Sequence, residues 1–218
     1  MIISLSSDSV YRFIPIHRLW EIIAEEKLFF IRNSKWDDPF EGYLIKRWCE
    51  KRDELDSFET YKKRRYFLCC TLGKDAEFFW RTYTPNKDGV RLEISKSELL
   101  KVDPGIEFYP IKYGKKPNIQ NLIDNLEEDS KLLREWYFYK RVAFKYEDEV
   151  RFSIKDPSRN SEIHPISINL GKVIKSITFD PRMAPNVFKL HKKFLEKQLP
   201  GLKIFHSNLY DPERTFRS

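Results

Sequence analysis

Cysteine is scarce: Cys49, Cys69 and Cys70 are the only three in 218 residues. An odd number with no metal spacing excludes a zinc knuckle or ribbon. Cys69 and Cys70, being adjacent, point to opposite sides of a strand, which argues against a structural disulfide between them. This usage suits a reducing, cytoplasmic setting. Glycine is scarcer than phenylalanine, 7 against 17, and no Gly-rich phosphate loop or nucleophile elbow occurs. His17, His164, His191 and His206 are scattered without zinc spacing and read as non-catalytic. No repeat is present. No apolar run approaches the ~20 residues of a membrane-spanning helix, and MIISLSSDSVYRF lacks a basic region ahead of a long apolar one. Neither a signal peptide nor a membrane partner is expected.

What is there is core material. Apolar residues make up 41% of the chain and aromatics 15%, while charges of both signs are mixed, so disorder is not indicated. The net charge of +7 permits an acidic or nucleic-acid partner. No recognisable nucleic-acid motif accompanies it. The length suits one domain over residues 1–218.

Val10–Phe13 reads as a short strand. Pro15 opens a helix with Ile16, Leu19, Trp20 and Ile23 on one face, closed by Glu25 and Glu26. Lys27–Ile31 is the next strand. The loop SKWDDPFEG follows, in which Asp37, Asp38 and Glu41 either hold a turn and cap a helix or bind a hard cation. Tyr43–Arg65 reads as a helix with a solvated face. Its basic cluster Lys62-Lys63-Arg64-Arg65 is a candidate phosphate contact. Tyr66–Thr71 is a buried central strand. Ala76–Tyr83 is a short helix whose Trp80 and Tyr83 share a face, either in the core or as the wall of a ligand pocket. Val90–Ile94 and Ile106–Tyr113 are strands. A long helix is expected from Asn118. Toward the C-terminus come strands at His164–Asn169, Val173–Phe179 and Leu202–His206, and a helix opened by Pro185 that buries Val187, Leu190, Phe194 and Leu195. Strands and helices without βαβ spacing predict an α+β fold, a mainly antiparallel or mixed sheet with helices packed on it.

The stretch from Trp136 to Ile154, WYFYKRVAFKYEDEVRFSI, organises the rest. Alternation puts Val150, Phe152 and Ile154 on one strand face and Glu147, Glu149, Arg151 and Ser153 on the other. Glu147 and Glu149 would lie roughly 7 Å apart. The charged face is either a solvated edge-strand face or the lining of a cleft.

These residues carry a resemblance. The chain resembles the bacterial family catalogued as domain of unknown function 2971. The match rests on Tyr11-Arg12-Phe13, on Leu28-Phe29-Phe30 followed by DDPFEG, on Cys70-Thr71 with Trp80, Tyr83 and Gly89, and on Tyr146-Glu147-Asp148-Glu149-Val150-Arg151. Asp37 stands where the family usually has Asn, and Cys69-Cys70-Thr71 matches its Cys-Phe-Ser loosely. The order Arg12, Thr71, Glu147-x-Glu149 is also similar to that of one class of ADP-ribosyltransferases. That resemblance implies an NAD co-substrate. Arg12 would hold the pyrophosphate, Thr71 would orient the ribose or the catalytic strand, and Trp80 or Tyr83 would stack on nicotinamide. Glu149 would stabilise the oxocarbenium-like charge, and Glu147, with Arg151 alongside, would handle the acceptor. A protein or nucleic-acid acceptor and a toxin or phage-defence role follow from the same resemblance. The alternative is a non-enzymatic binding module for nucleic acid or protein, with a basic helical face and a structural Glu/Arg network. A metal nuclease using Asp38, Glu41 and Glu149 ranks last, for want of a lysine beside the carboxylates.

Overall fold

The computed structural model describes residues 7–33, 36, 41, 43–51, 65–73, 75–114, 136–156, 158, 160–211 and 213. In chain order the elements are β1 (Ser9–Pro15), α1 (Ile16–Glu25), β2 (Lys27–Arg32), α2 (Tyr43–Lys51), β3 (Arg65–Thr71), α3 (Glu77–Tyr83), β4 (Gly89–Ser95) and α4 (Lys96–Val102). There follow β5 (Glu107–Pro110), β6 (Lys112–Gly114), β7 (Tyr139–Arg141), β8 (Glu149–Lys155), β9 (Ile163–Ser167), α5 (Leu170–Val173), β10 (Ile174–Phe179), α6 (Pro185–Gln198) and β11 (Lys203–His206). Single 3₁₀ segments flank β7 at Trp136–Phe138 and Val142–Glu147. The fold is α+β with mixed strand pairing: β10–β11 and β6–β7 are parallel, and the other registered pairs are antiparallel. The helix expected from Asn118 and the residues Lys62, Lys63 and Arg64 lie outside the described residues.

Two compact units divide the chain. One takes Met1–Leu28, Cys70–Asp103 and Ser167–Ser218, and the other Phe29–Cys69 and Pro104–Ile166.

In the first unit the strands run β11–β10–β4–β1, with Thr71 opposite Tyr11. β1 pairs with β4 along its length, from Ser9 opposite Ser95 to Pro15 opposite Gly89. Side chains opposite one another share a face, so this register sorts them into two sets. One face carries Val10, Ile14, Val90, Leu92, Ile94, Ile177 and Phe179, all buried. Phe188 and His191 of α6 pack on Phe179, and Trp20 of α1 packs on His191. The other face carries Tyr11, Phe13, Arg91 and Thr178 and lies under α3, whose Phe79 and Trp80 sit 4.8 Å from Phe13.

Two expectations change in this unit. Pro15 is the last residue of β1, held extended at ψ 150, and the helix begins after it. Leu195 is the buried member of the expected α6 stripe, whereas Val187, Leu190 and Phe194 are exposed, because Phe188 and His191 make the sheet contact instead. Gly89 packs so closely that an added Cβ would come 2.2 Å from Thr84, and only glycine fits.

The second unit orders its strands β9–β2–β3–β8–β5. β5 pairs with β8 so that Phe108 faces Phe152 and Tyr109 faces Arg151. Phe67, Cys49, Ile111, Tyr137 and Phe138 form an apolar cluster, with Trp36, Cys69 and Tyr109 packed against it. Arg65, expected on a solvated basic helix, is instead the first residue of β3. It is buried, ion-paired with Glu107 and 2.8 Å from Ser153 Oγ.

Candidate active site

The charged group sits on β8 of the second unit. Val150, Phe152 and Ile154 are buried as the alternation predicts. Glu149, Arg151 and Ser153 are buried too, because β8 is an interior strand between β3 and β5. The solvated edge-strand reading is therefore corrected. Glu147 is also corrected. It ends the 3₁₀ segment Val142–Glu147, and Asp148 then turns left-handed at φ 44, so the strand starts only at Glu149. Asp tolerates that conformation better than most residues.

The two glutamates meet at one cation. Lys140, on β7, places Nζ 2.7 Å from Glu147 Oε2, 3.2 Å from Glu149 Oε2 and 3.2 Å from Glu41 Oε1. Arg151 is fully buried. It donates Nε to Glu149 Oε1 at 2.6 Å, Nη2 to Glu149 Oε2 at 3.0 Å and to Glu41 Oε2 at 2.8 Å, and Nη1 to the Tyr137 carbonyl at 2.5 Å. The Trp36 ring lies 4.0 Å from the guanidinium carbon, a cation–π contact. The Tyr113 hydroxyl accepts the Glu149 backbone N–H at 2.8 Å, and the Cys69 thiol donates to the Glu149 carboxylate.

The environment separates the glutamates. Burial raises the proton affinity of Glu149, but Arg151, Lys140 and Cys69 outweigh it and hold the carboxyl below its ordinary range. Burial also raises Glu147, and here Lys140 does not cancel the effect, so Glu147 keeps its proton more readily than in water. Burial opposes the charge on Lys140, yet Glu149, Glu41 and Glu147 hold its proton more firmly than usual. Three carboxylates thus face two cations.

Sequence reasoning brought Glu41 to Glu149 only in the metal-nuclease reading, and did not place Lys140, Cys69 or Tyr113 in this group. Glu41 lies 110 positions from Arg151, a distance over which no local pattern reaches. Lys140, nine residues before Glu149 and across a 3₁₀ segment, supplies the lysine whose lack ranked the metal nuclease last. Its ammonium nevertheless stands where a cation bridging the three carboxylates would sit. Asp38 lies outside the described residues. Among the described residues no group of His, Cys, Asp and Glu is arranged to hold a metal ion.

Arg12, Thr71, Trp80 and Tyr83 belong to the first unit. Thr71 is buried, and its Oγ1 accepts the Gly73 N–H at 2.9 Å. Trp80 is wholly buried. Its indole N–H donates to Asp75 at 2.6 Å, which fits the core reading of this residue. Tyr83 is 42% exposed. Arg12 alternates with Tyr11 and Phe13 and so lies on the face opposite the one Trp80 covers. The sheet itself separates Arg12 from Trp80, so these two do not line the single dinucleotide site that the resemblance implies.

No curated protein matches the chain. Among solved structures, Thermus sp. 2.9 DarT in complex with NAD+ shows a distant likeness: 12% identity over 93% of this chain and 96% of that one, with a TM-score of 0.43. Residues 79–152, which hold Trp80, Tyr83, Gly89 and the Glu147–Arg151 signature, match the model of a family described as "Protein of unknown function (DUF2971)", and over that segment the resemblance drawn from those residues is shown.

Proposed function

We propose that the protein is an NAD-consuming enzyme of ADP-ribosyltransferase-like chemistry, with a protein or nucleic-acid acceptor. The observation that carries the reading is the pair Glu147 and Glu149, which share Lys140 yet have their proton affinities shifted in opposite directions. Titratable neighbours pushed apart in this way are suited to divide acid–base from electrostatic work. Glu149, ionised and held through both oxygens, is the fixed negative charge toward which an oxocarbenium-like centre develops. Glu147, with one oxygen on Lys140 and a raised proton affinity, takes the acceptor's proton.

A cytoplasmic site of action suits the three free cysteines. A toxin or phage-defence role in a bacterium is the biological setting proposed for such a transferase.

A second reading is favoured by one observation: Arg151 is fully buried and has both Glu149 oxygens as partners, as a structural network requires. The chain would then be a non-enzymatic binding module. Incubation with NAD, following both nicotinamide release and melting temperature, separates the two. Turnover that is lost in Glu147→Gln supports the enzyme. A parent protein with neither turnover nor a melting shift at millimolar NAD removes it.

A further inference from the structure

Helix α6 leaves an apolar ridge in water. Val187, Leu190 and Phe194 follow the i, i+3, i+7 spacing of one helical face and are 38%, 54% and 53% exposed. Beside them runs a second ridge, Lys189, Lys193 and Lys197, at i, i+4, i+8 and all exposed. Among the described residues none of these three lysines is ion-paired; the ion pair on this helix, Lys192–Glu196, lies on a different stripe. Phe188, His191 and Leu195 hold the adjoining side of the helix to the unit's core. The ridge is therefore held rigidly, at no folding cost upon binding.

We propose that this face of α6 is a docking surface for an acidic amphipathic helix of a partner protein. The apolar ridge spans about 10 Å and the lysine ridge about 12 Å along the axis, at 1.5 Å per residue. That is two turns of a partner helix, read by apolar anchors with carboxylates in a row on one flank. The charge pattern selects this occupant. A second copy would bring its own lysine ridge against this one in a two-fold contact. A nucleic-acid backbone has nothing to cover Leu190 and Phe194. An anionic bilayer is met best by lysines on both flanks of an apolar sector, whereas here the far flank carries His191 and Gln198.

The test uses the full chain and three synthetic helical peptides of about 20 residues, alike in their leucine ridge but flanked by Glu, Gln or Lys. Binding is read by fluorescence anisotropy. The Glu-flanked peptide binds about tenfold tighter than the Gln-flanked one, the sum of a few exposed charge pairs. Leu190→Ser or Phe194→Ser lowers that affinity about tenfold while the melting temperature holds. The triple change Lys189→Glu, Lys193→Glu, Lys197→Glu reverses the preference toward the Lys-flanked peptide. Equal binding of all three peptides, no binding, or a preference unmoved by the reversal overturns the proposal. So does either of two other results that depend on Phe194: binding to phosphatidylglycerol vesicles without peptide binding, or self-association in sedimentation.

Discussion

Arg151 grips Glu149 through two nitrogens, Nε at 2.6 Å and Nη2 at 3.0 Å, so that both carboxylate oxygens are engaged inside the second unit. A bidentate pair of this kind fixes orientation as well as charge. It also means that removing either group alone leaves the other buried with fewer partners, Glu41 and the Tyr137 carbonyl for Arg151 and Lys140 for Glu149.

Glu149→Gln should therefore lose about 3 kcal/mol of stability in urea unfolding, the cost of breaking a buried pair from one side. Replacing both partners, Glu149→Leu with Arg151→Met, should recover most of that loss. A double variant no more stable than the single one would show that Arg151 is held chiefly by Glu41 and the Tyr137 carbonyl.

Glu147→Gln should behave in the opposite way, with folding stability near that of the parent and NAD turnover lower by about a hundredfold or more. The pH dependence gives a second readout. Glu147 binds its proton more tightly in the folded state than at its ordinary value of 4.5. Its effect on stability is thus most favourable below 4.5 and declines as pH rises from there through the folded-state value. Urea unfolding of parent and variant across pH 4 to 8 should show the parent losing ground to Glu147→Gln as pH rises. A constant difference would mean that Glu147 titrates alike in both states.

Glu149 is linked with the other sign. Its proton affinity is lowered by folding, so its contribution is complete above the ordinary value of 4.5 and is lost as pH falls through the folded-state value. Acid unfolding of Glu149→Gln should be shallower than that of the parent below pH 4.5.

Lys140→Met takes the shared ammonium away from Glu147, Glu149 and Glu41. The limb of the pH–rate profile that reports Glu147 should move upward by about 1–3 units, the usual effect of losing a neighbouring cation. An unmoved limb would assign that titration to another group.

Gly89→Ala probes the first unit. Its Cβ would overlap the Thr84 side chain, which donates to the Trp80 carbonyl at 2.8 Å and to Asp180 at 3.1 Å. Overpacking of this order costs about 1–3 kcal/mol. The loss should appear in thermal unfolding, and an unchanged midpoint would show that the Thr84 side chain gives way freely.

The alternation of Val150, Phe152 and Ile154 was legible because period-two burial is a local signal. The burial of Glu149 and Arg151 was not, since a charged strand face looks the same in sequence whether water or another layer covers it. Glu147 fell outside the strand because Asp148 adopts a left-handed turn, for which no glycine gave warning. On α6 the chain offers two apolar stripes, and the sheet took Phe188, His191 and Leu195. Helical periodicity ranks faces by composition, whereas the position of Phe179 on β10 decides which one is used.

The cation shared by Glu41, Glu147 and Glu149 is a lysine side chain rather than an ion from solution. Its occupancy therefore equals the folded fraction of the protein, at any dilution and in any chelator. The same tether gives the site a vulnerability that a free ion lacks. One acyl group on the Lys140 amine removes the positive charge that Glu147 shares with Glu41 and Glu149, while Arg151 stays on Glu41 and Glu149.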